Sequence, residues 1–141
     1  MADQRGMGVM KKVLIIDDDM TLRTLFASLL DRKGFVASHA ADGEEAIALL
    51  TNARKENGQS EYSLVLLDLD LPKLSGLDVL AFIERSMPEI VKNVAVISAA
   101  SDSLLRDLED RGSCGTTLQK PFDVEVFYRR IARCIREATI P

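Results

Sequence analysis

Histidine occurs once in this chain, cysteine twice, and no apolar run approaches the length of a membrane span. Cys114 and Cys134 fall at no metal-ligand spacing, which excludes a zinc site or a disulfide framework and leaves free thiols suited to a reducing cytosol. The start of the chain carries no signal-peptide pattern, so a cytoplasmic protein with no membrane partner is expected. Positive charge is in deficit: 18 Lys and Arg stand against 22 Asp and Glu, a net charge of −4. That balance argues against nucleic acid as a partner. A chain of 141 residues is one domain's length and can bury ~70% of its unfolded surface without metals or disulfides.

What is present is a strict alternation. Residues 13–16 form a short β-branched run that ends in Asp17, Asp18 and Asp19. Leu22, Leu25, Phe26, Leu29 and Leu30 then recur at helical spacing, and Gly34 closes that helix. Residues 35–40 read as a weaker second strand. Asp42 and Glu45 open a helix with Ala46, Ile47, Leu50 and Ala53 on one face. Residues 57–60 are a polar loop. Residues 64–67 are apolar throughout, as a strand buried on both faces requires, and the run stops in Asp68, Asp70 and Pro72. Ser75 and Asp78 begin a third helix marked by Leu77, Leu80 and Ile83 and stopped near Pro88. Residues 94–97 are a further apolar strand ending in Ser98. Ser101 or Asp102 caps a short helix with Leu104, Leu105 and Leu108, ended by Gly112. Residues 116–119 lead into Lys120-Pro121-Phe122, and a last helix over 123–138 carries Phe127, Ile131 and Ile135.

Strand then helix, five times over, predicts an α/β fold with a parallel sheet covered on both faces. Right-handed crossovers favour a flavodoxin-like, doubly wound (βα)5 sheet in the order 2-1-3-4-5. In such a sheet every strand-ending polar residue reaches one carboxyl edge. Asp17, Asp18, Asp68, Ser98 and Lys120 would therefore converge. Three carboxylates without a cation repel one another; Mg²⁺, which takes a few carboxylate oxygens and keeps several waters, resolves that, and Lys120 adds positive charge. A carboxylate beside a metal, an ammonium and a hydroxyl suits acceptance of a phosphoryl group.

The pieces Val13-Leu-Ile-Ile-Asp-Asp-Asp19, Asp68-Leu-Asp-Leu-Pro72 with Gly76, Val96-Ile-Ser-Ala99 and Lys120-Pro-Phe122, in order, resemble a receiver domain of the bacterial response-regulator family. The resemblance spans residues 11–138, leaving 1–10 as a disordered start and 139–141 as a tail. It implies that Asp68 accepts phosphate from the phosphohistidine of a sensor histidine kinase or a phosphotransfer protein. It implies that Asp18 and Asp68 bind Mg²⁺, that Asp17 holds a metal-bound water, and that Asp70 contributes its backbone carbonyl. Ser98 would hydrogen-bond the phosphoryl group, Lys120 would pair with its oxygen, and Ala99 would leave it accessible. The Lys120–Pro121 bond is expected to be cis. With no residues left for an output domain, a single-domain switch with a separate downstream protein is expected, a monomer or weak dimer and not an enzyme acting on an external substrate.

Two positions depart from the family. Thr117 stands where an aromatic residue is common, three before Lys120, and Gly112-Ser-Cys-Gly115 is one residue longer than usual. The rival reading is a haloacid-dehalogenase-type phosphatase with Asp68-Leu-Asp70 as its Asp-x-Asp motif, although that family places this strand first. A flavodoxin-like electron carrier is disfavoured because Asp17-Asp-Asp19 would repel a flavin phosphate. Asp19 reads as a helix cap. His39 reads as a surface or edge residue far from the carboxyl edge. Arg129, Arg133 and Arg136 read as one solvated stripe.

Overall fold

The computed structural model describes residues 11–135. The termini assigned above to a disordered start and a tail lie outside those residues. Strands β1 (Lys11–Ile16), β2 (Phe35–Ala40), β3 (Leu64–Asp68), β4 (Val94–Ser98) and β5 (Thr116–Gln119) form one sheet ordered β2-β1-β3-β4-β5. All four pairings are parallel. Helices α1 (Met20–Asp31), α2 (Gly43–Asn52), α3 (Gly76–Ser86), α4 (Asp102–Asp110) and α5 (Val124–Ile131) follow the strands in turn. The flavodoxin-like order expected from the alternation is the one observed.

The apolar runs explain the layers. Side chains alternate across a strand, so Leu14, Ile16, Val65, Leu67, Val94 and Val96 meet Leu50, Leu80, Ile83, Leu105 and Leu108 of α2, α3 and α4. Val13, Ile15, Leu64, Leu66, Ala95 and Ile97 meet Phe26, Leu30, Phe127 and Ile131 of α1 and α5 on the other face. Every residue of β3 and of β4 is buried. In β3 that includes Asp68, whose burial needs a reason beyond packing.

Each helix starts on a polar cap. Asp19, Asp42, Ser101 and Asp123 accept backbone N–H groups of the first turns, and Ser75 and Asp78 form a reciprocal capping box. The chain between α4 and β5 begins with a glycine turn. Gly112, at φ 71°, donates to Glu109 O while Ser113 donates to Leu108 O, the paired closure of a Schellman motif.

Several sequence expectations are corrected. The last helix ends at Ile131, not at 138; residues 136–138 lie outside the described part. The N–H groups of Arg133 and Cys134 bond to Arg130 and Ile131 at three-residue spacing, and Asn93 Nδ2 takes the Cys134 carbonyl at 2.9 Å. Leu77 and Leu25 face solvent, 44% and 47% exposed. In α3 the buried set is Gly76, Val79, Leu80 and Ile83, an i, i+3, i+4, i+7 stripe that leaves Leu77 outside. His39 lies next to the carboxyl end of β2, paired in register with Ile15, and not far from that edge. It is exposed on the outermost strand, so its reading as an edge residue stands. The third helix stops near Pro88 as expected, at Ser86, and Pro88–Asn93 then forms a 3-10 segment.

Candidate functional site

The carboxyl ends of β1, β3, β4 and β5 bring together the residues singled out in the sequence. Asp17, Asp18 and Asp68 each place a carboxylate oxygen within 4.8 Å of the others. Asp17 and Asp68 are buried, at 2% and 4% exposure, while Asp18 is exposed. Lys120 Nζ donates to Asp68 Oδ2 at 3.3 Å from the end of β5. Ser98 is fully buried at the end of β4, adjacent to Asp68 through the β3–β4 ladder.

Local geometry fixes each group. Asp68 Oδ1 accepts the Asp70 backbone N–H at 2.9 Å. Asp70 thereby turns its backbone toward Asp68, while its side chain is exposed and outside the carboxylate cluster. Asp17 Oδ1 accepts the Asp19 N–H at 2.9 Å, and Asp19 in turn caps α1, as expected. Lys120 is aimed by the turn that follows it. The Lys120–Pro121 bond is cis, as expected, and the Phe122 ring stacks on Phe26 and Phe127 at centroid distances of 6.1 and 5.9 Å. The Lys120 backbone N–H also donates to Ser98 O at 2.8 Å. Gly76 lets α3 begin directly against the end of β3. A Cβ there would lie 2.4 Å from both Asp68 O and Leu69 Cα.

The electrostatics of the cluster favour a cation. Burial pushes the Asp17 carboxyl up from 3.8 to about 6; the Asp19 N–H and the Lys120 ammonium oppose this, while the charges of Asp68 and Asp18 add to it. Asp17 Oδ2 is buried without a hydrogen-bond partner. An orphaned buried carboxylate oxygen beside two more carboxylates is the donor set of a hard divalent cation with oxygen ligands, and Mg²⁺ fits it.

Two contacts at the site were not legible in the sequence. Arg23 Nη1 donates to the Asp17 carbonyl at 2.6 Å, holding the turn that presents the acidic pair. Its place one turn into α1 was the only available signal. Gln119 Nε2 donates to Ala100 O at 2.8 Å, and Ser98 Oγ accepts the Ala100 N–H at 2.9 Å. Nineteen residues separate Gln119 from Ala100, and nothing local announces the contact. A surface cavity between α4, β5 and α5, lined by Leu105, Thr117, Phe122, Val126 and Arg130 among others, lies apart from the carboxylates.

A buried strand-end aspartate, flanked by two further carboxylates and met by a lysine from a cis-proline turn, defines a class. The chain belongs to the response regulator receiver domain family, which it matches over residues 13–132. Receivers of this family are phosphorylation-switched modules of two-component systems, charged by histidine kinases or phosphotransfer proteins. The chain is 33% identical over 134 residues to the transcriptional regulatory protein CpxR homolog of Haemophilus influenzae, covering 94% of this chain and 53% of that protein. It is 29% identical over 117 residues to sporulation initiation phosphotransferase F of Bacillus subtilis, covering 82% of this chain and 86% of that one. Among solved structures, the response regulator TrrA of Thermotoga maritima in complex with Mg²⁺ and a beryllium fluoride superposes with a TM-score of 0.73. It shares 25% identity and covers 89% of this chain and 100% of that one. The chain spans about half the length of the first curated relatives it matches. The phosphatase alternative finds no support, because Asp68-Leu-Asp70 sits inside the receiver match and Asp70 serves Asp68 through its backbone N–H. No helix among the described residues is long and apolar enough to cross a membrane.

Proposed function

We propose that Asp68 is the phosphoacceptor of a signalling receiver that works in the cytoplasm. The carrying observation is the convergence of Asp17, Asp18 and Asp68 within 4.8 Å, with Lys120 on Asp68 Oδ2. An Asp68 oxygen forms a bond to the phosphorus of a phosphohistidine or small phosphodonor. The bond from phosphorus to the donor breaks, and the leaving group departs with its electron pair. Asp68 is held for this by the Asp70 N–H on Oδ1 and by Lys120 on Oδ2.

Asp18 and Asp68, with the Asp70 backbone carbonyl and a water held by Asp17, would hold Mg²⁺, which would supply charge neutralisation for the phosphoryl oxygens. Lys120 is a mobile ammonium that moves from the Asp68 carboxylate to a phosphoryl oxygen. Ser98 Oγ, now occupied by the Ala100 N–H, turns to donate to the phosphoryl group. Ala99, exposed and small, keeps the approach open. The chain turns over no external substrate on this reading; it catalyses only its own phosphorylation and dephosphorylation, then signals to a separate downstream protein.

Intact-mass measurement after incubation with a small phosphodonor and Mg²⁺ tests the assignment. Wild type should gain one phosphoryl group, labile to base and hydroxylamine, and Asp68→Asn should gain none. Label persisting on Asp70 or Ser98 in that variant would overturn it.

A further inference from the structure

Strand β5 is an edge strand, and its side chains alternate: Leu118 faces the α1–α5 core while Thr117 and Gln119 share the opposite side. Both reach the segment that carries α4, at opposite ends. Thr117 donates its backbone N–H to Glu109 Oε2 at 2.9 Å and its hydroxyl to the same oxygen. Arg130 of α5 stands 3.7 Å from that oxygen. Glu109 lies in the last turn of α4. Gln119 reaches Ala100, just before the Ser101 cap that starts α4. Between these fastenings α4 buries only Leu105 and Leu108.

We propose that Thr117 and Gln119 are positioning residues that clasp α4 at both ends and so set the resting state of the β4–α4 loop beside Asp68. A free edge N–H needs one acceptor to be satisfied. The second donation from the Thr117 hydroxyl, and the reach of Gln119 to Ala100, go beyond that need. The peptide groups on either side of Ala100 are held by different strands, its N–H by Ser98 of β4 and its carbonyl by Gln119 of β5. Movement of Ser98 Oγ toward a phosphoryl group therefore removes one of the two holds and loads the other. The device is polar and stationary at Thr117, with no rotating ring; α4 is the part that moves. The coupling to phosphorylation rests on Asp68 as phosphoacceptor, whereas the clasp itself is present without it.

Amide hydrogen exchange on the unphosphorylated full chain tests the clasp first. In Thr117→Val and Gln119→Leu, amides of residues 99–110 should exchange roughly three- to tenfold faster than in wild type, with β1 and α1 unchanged. Thr117→Ser, which keeps the hydroxyl, should restore protection. Glu109→Ala should reproduce the Thr117→Val pattern and serves if Thr117→Val folds poorly. The combined Thr117→Val/Gln119→Leu chain should also take phosphate from a small donor several-fold faster, because its loop is already released. Unchanged exchange at 99–110, or acceleration spread evenly over all helices, overturns the proposal. A wild type that takes no phosphate refutes the Asp68 assignment instead, and leaves the exchange comparison to judge the clasp.

Discussion

Lys120 Nζ lies 3.3 Å from Asp68 Oδ2 across 52 positions of chain, and it is the cation the site itself provides to the buried carboxylate. Removing a charged group aimed at a developing anion typically costs a factor of about 10²–10³ in rate. Lys120→Met should slow phosphorylation from a small donor by roughly that order. It should still bind Mg²⁺, because no ligand is lost. Equal phosphorylation rates in variant and wild type would place Lys120 outside the chemistry.

Asp18 is the exposed member of the carboxylate cluster. A ligand that binds only the folded state stabilises it by about 2.7 kcal/mol at a hundred times its Kd. Titrating Mg²⁺ should therefore raise the melting temperature of wild type, and much less that of Asp18→Ala. Identical shifts in the two proteins would remove Asp18 from the ligand set.

Asp17 sets a pH dependence whose sign follows from its burial. Its folded value, about 6, lies above the ordinary 3.8, so its favourable contribution is complete below about pH 4 and is lost as pH rises through 6. Above that, the buried charge costs the metal-free fold about 3 kcal/mol. Asp17→Asn should raise the melting temperature of metal-free protein at neutral pH and flatten its decline between pH 4 and 6. Mg²⁺ should stabilise the variant less than wild type. A metal-free variant less stable than wild type at neutral pH would contradict this account.

Gly76 admits no side chain, because a Cβ there meets Asp68 O and Leu69 Cα, both backbone atoms, at 2.4 Å. Overpacking of this kind costs about 1–3 kcal/mol. Gly76→Ala should lose that much in denaturant unfolding and should also phosphorylate more slowly, since the displaced backbone carries Asp68. A stability loss with an unchanged phosphorylation rate would mean that α3 yields and β3 does not.

The alternation of strands and helices, the helix starts and the convergence of Asp17, Asp18, Asp68, Ser98 and Lys120 on one edge were determined by the sequence alone. The physical reason is that these depend on local patterns: apolar runs, polar caps and the one-handed crossover that turns alternation into a sheet with a common carboxyl end. Only the tertiary structure decided the rest. The α5 helix ends at Ile131 and the chain after it tightens to three-residue hydrogen bonds, with the Cys134 carbonyl held by Asn93, 41 positions away. Leu77 and Leu25 face water because the buried stripe of a helix is chosen by what packs on it, not by hydrophobicity. Arg23 on Asp17, Gln119 on Ala100 and Glu109 on Thr117 are side-chain contacts between elements, and no periodicity along the chain encodes which polar groups will meet.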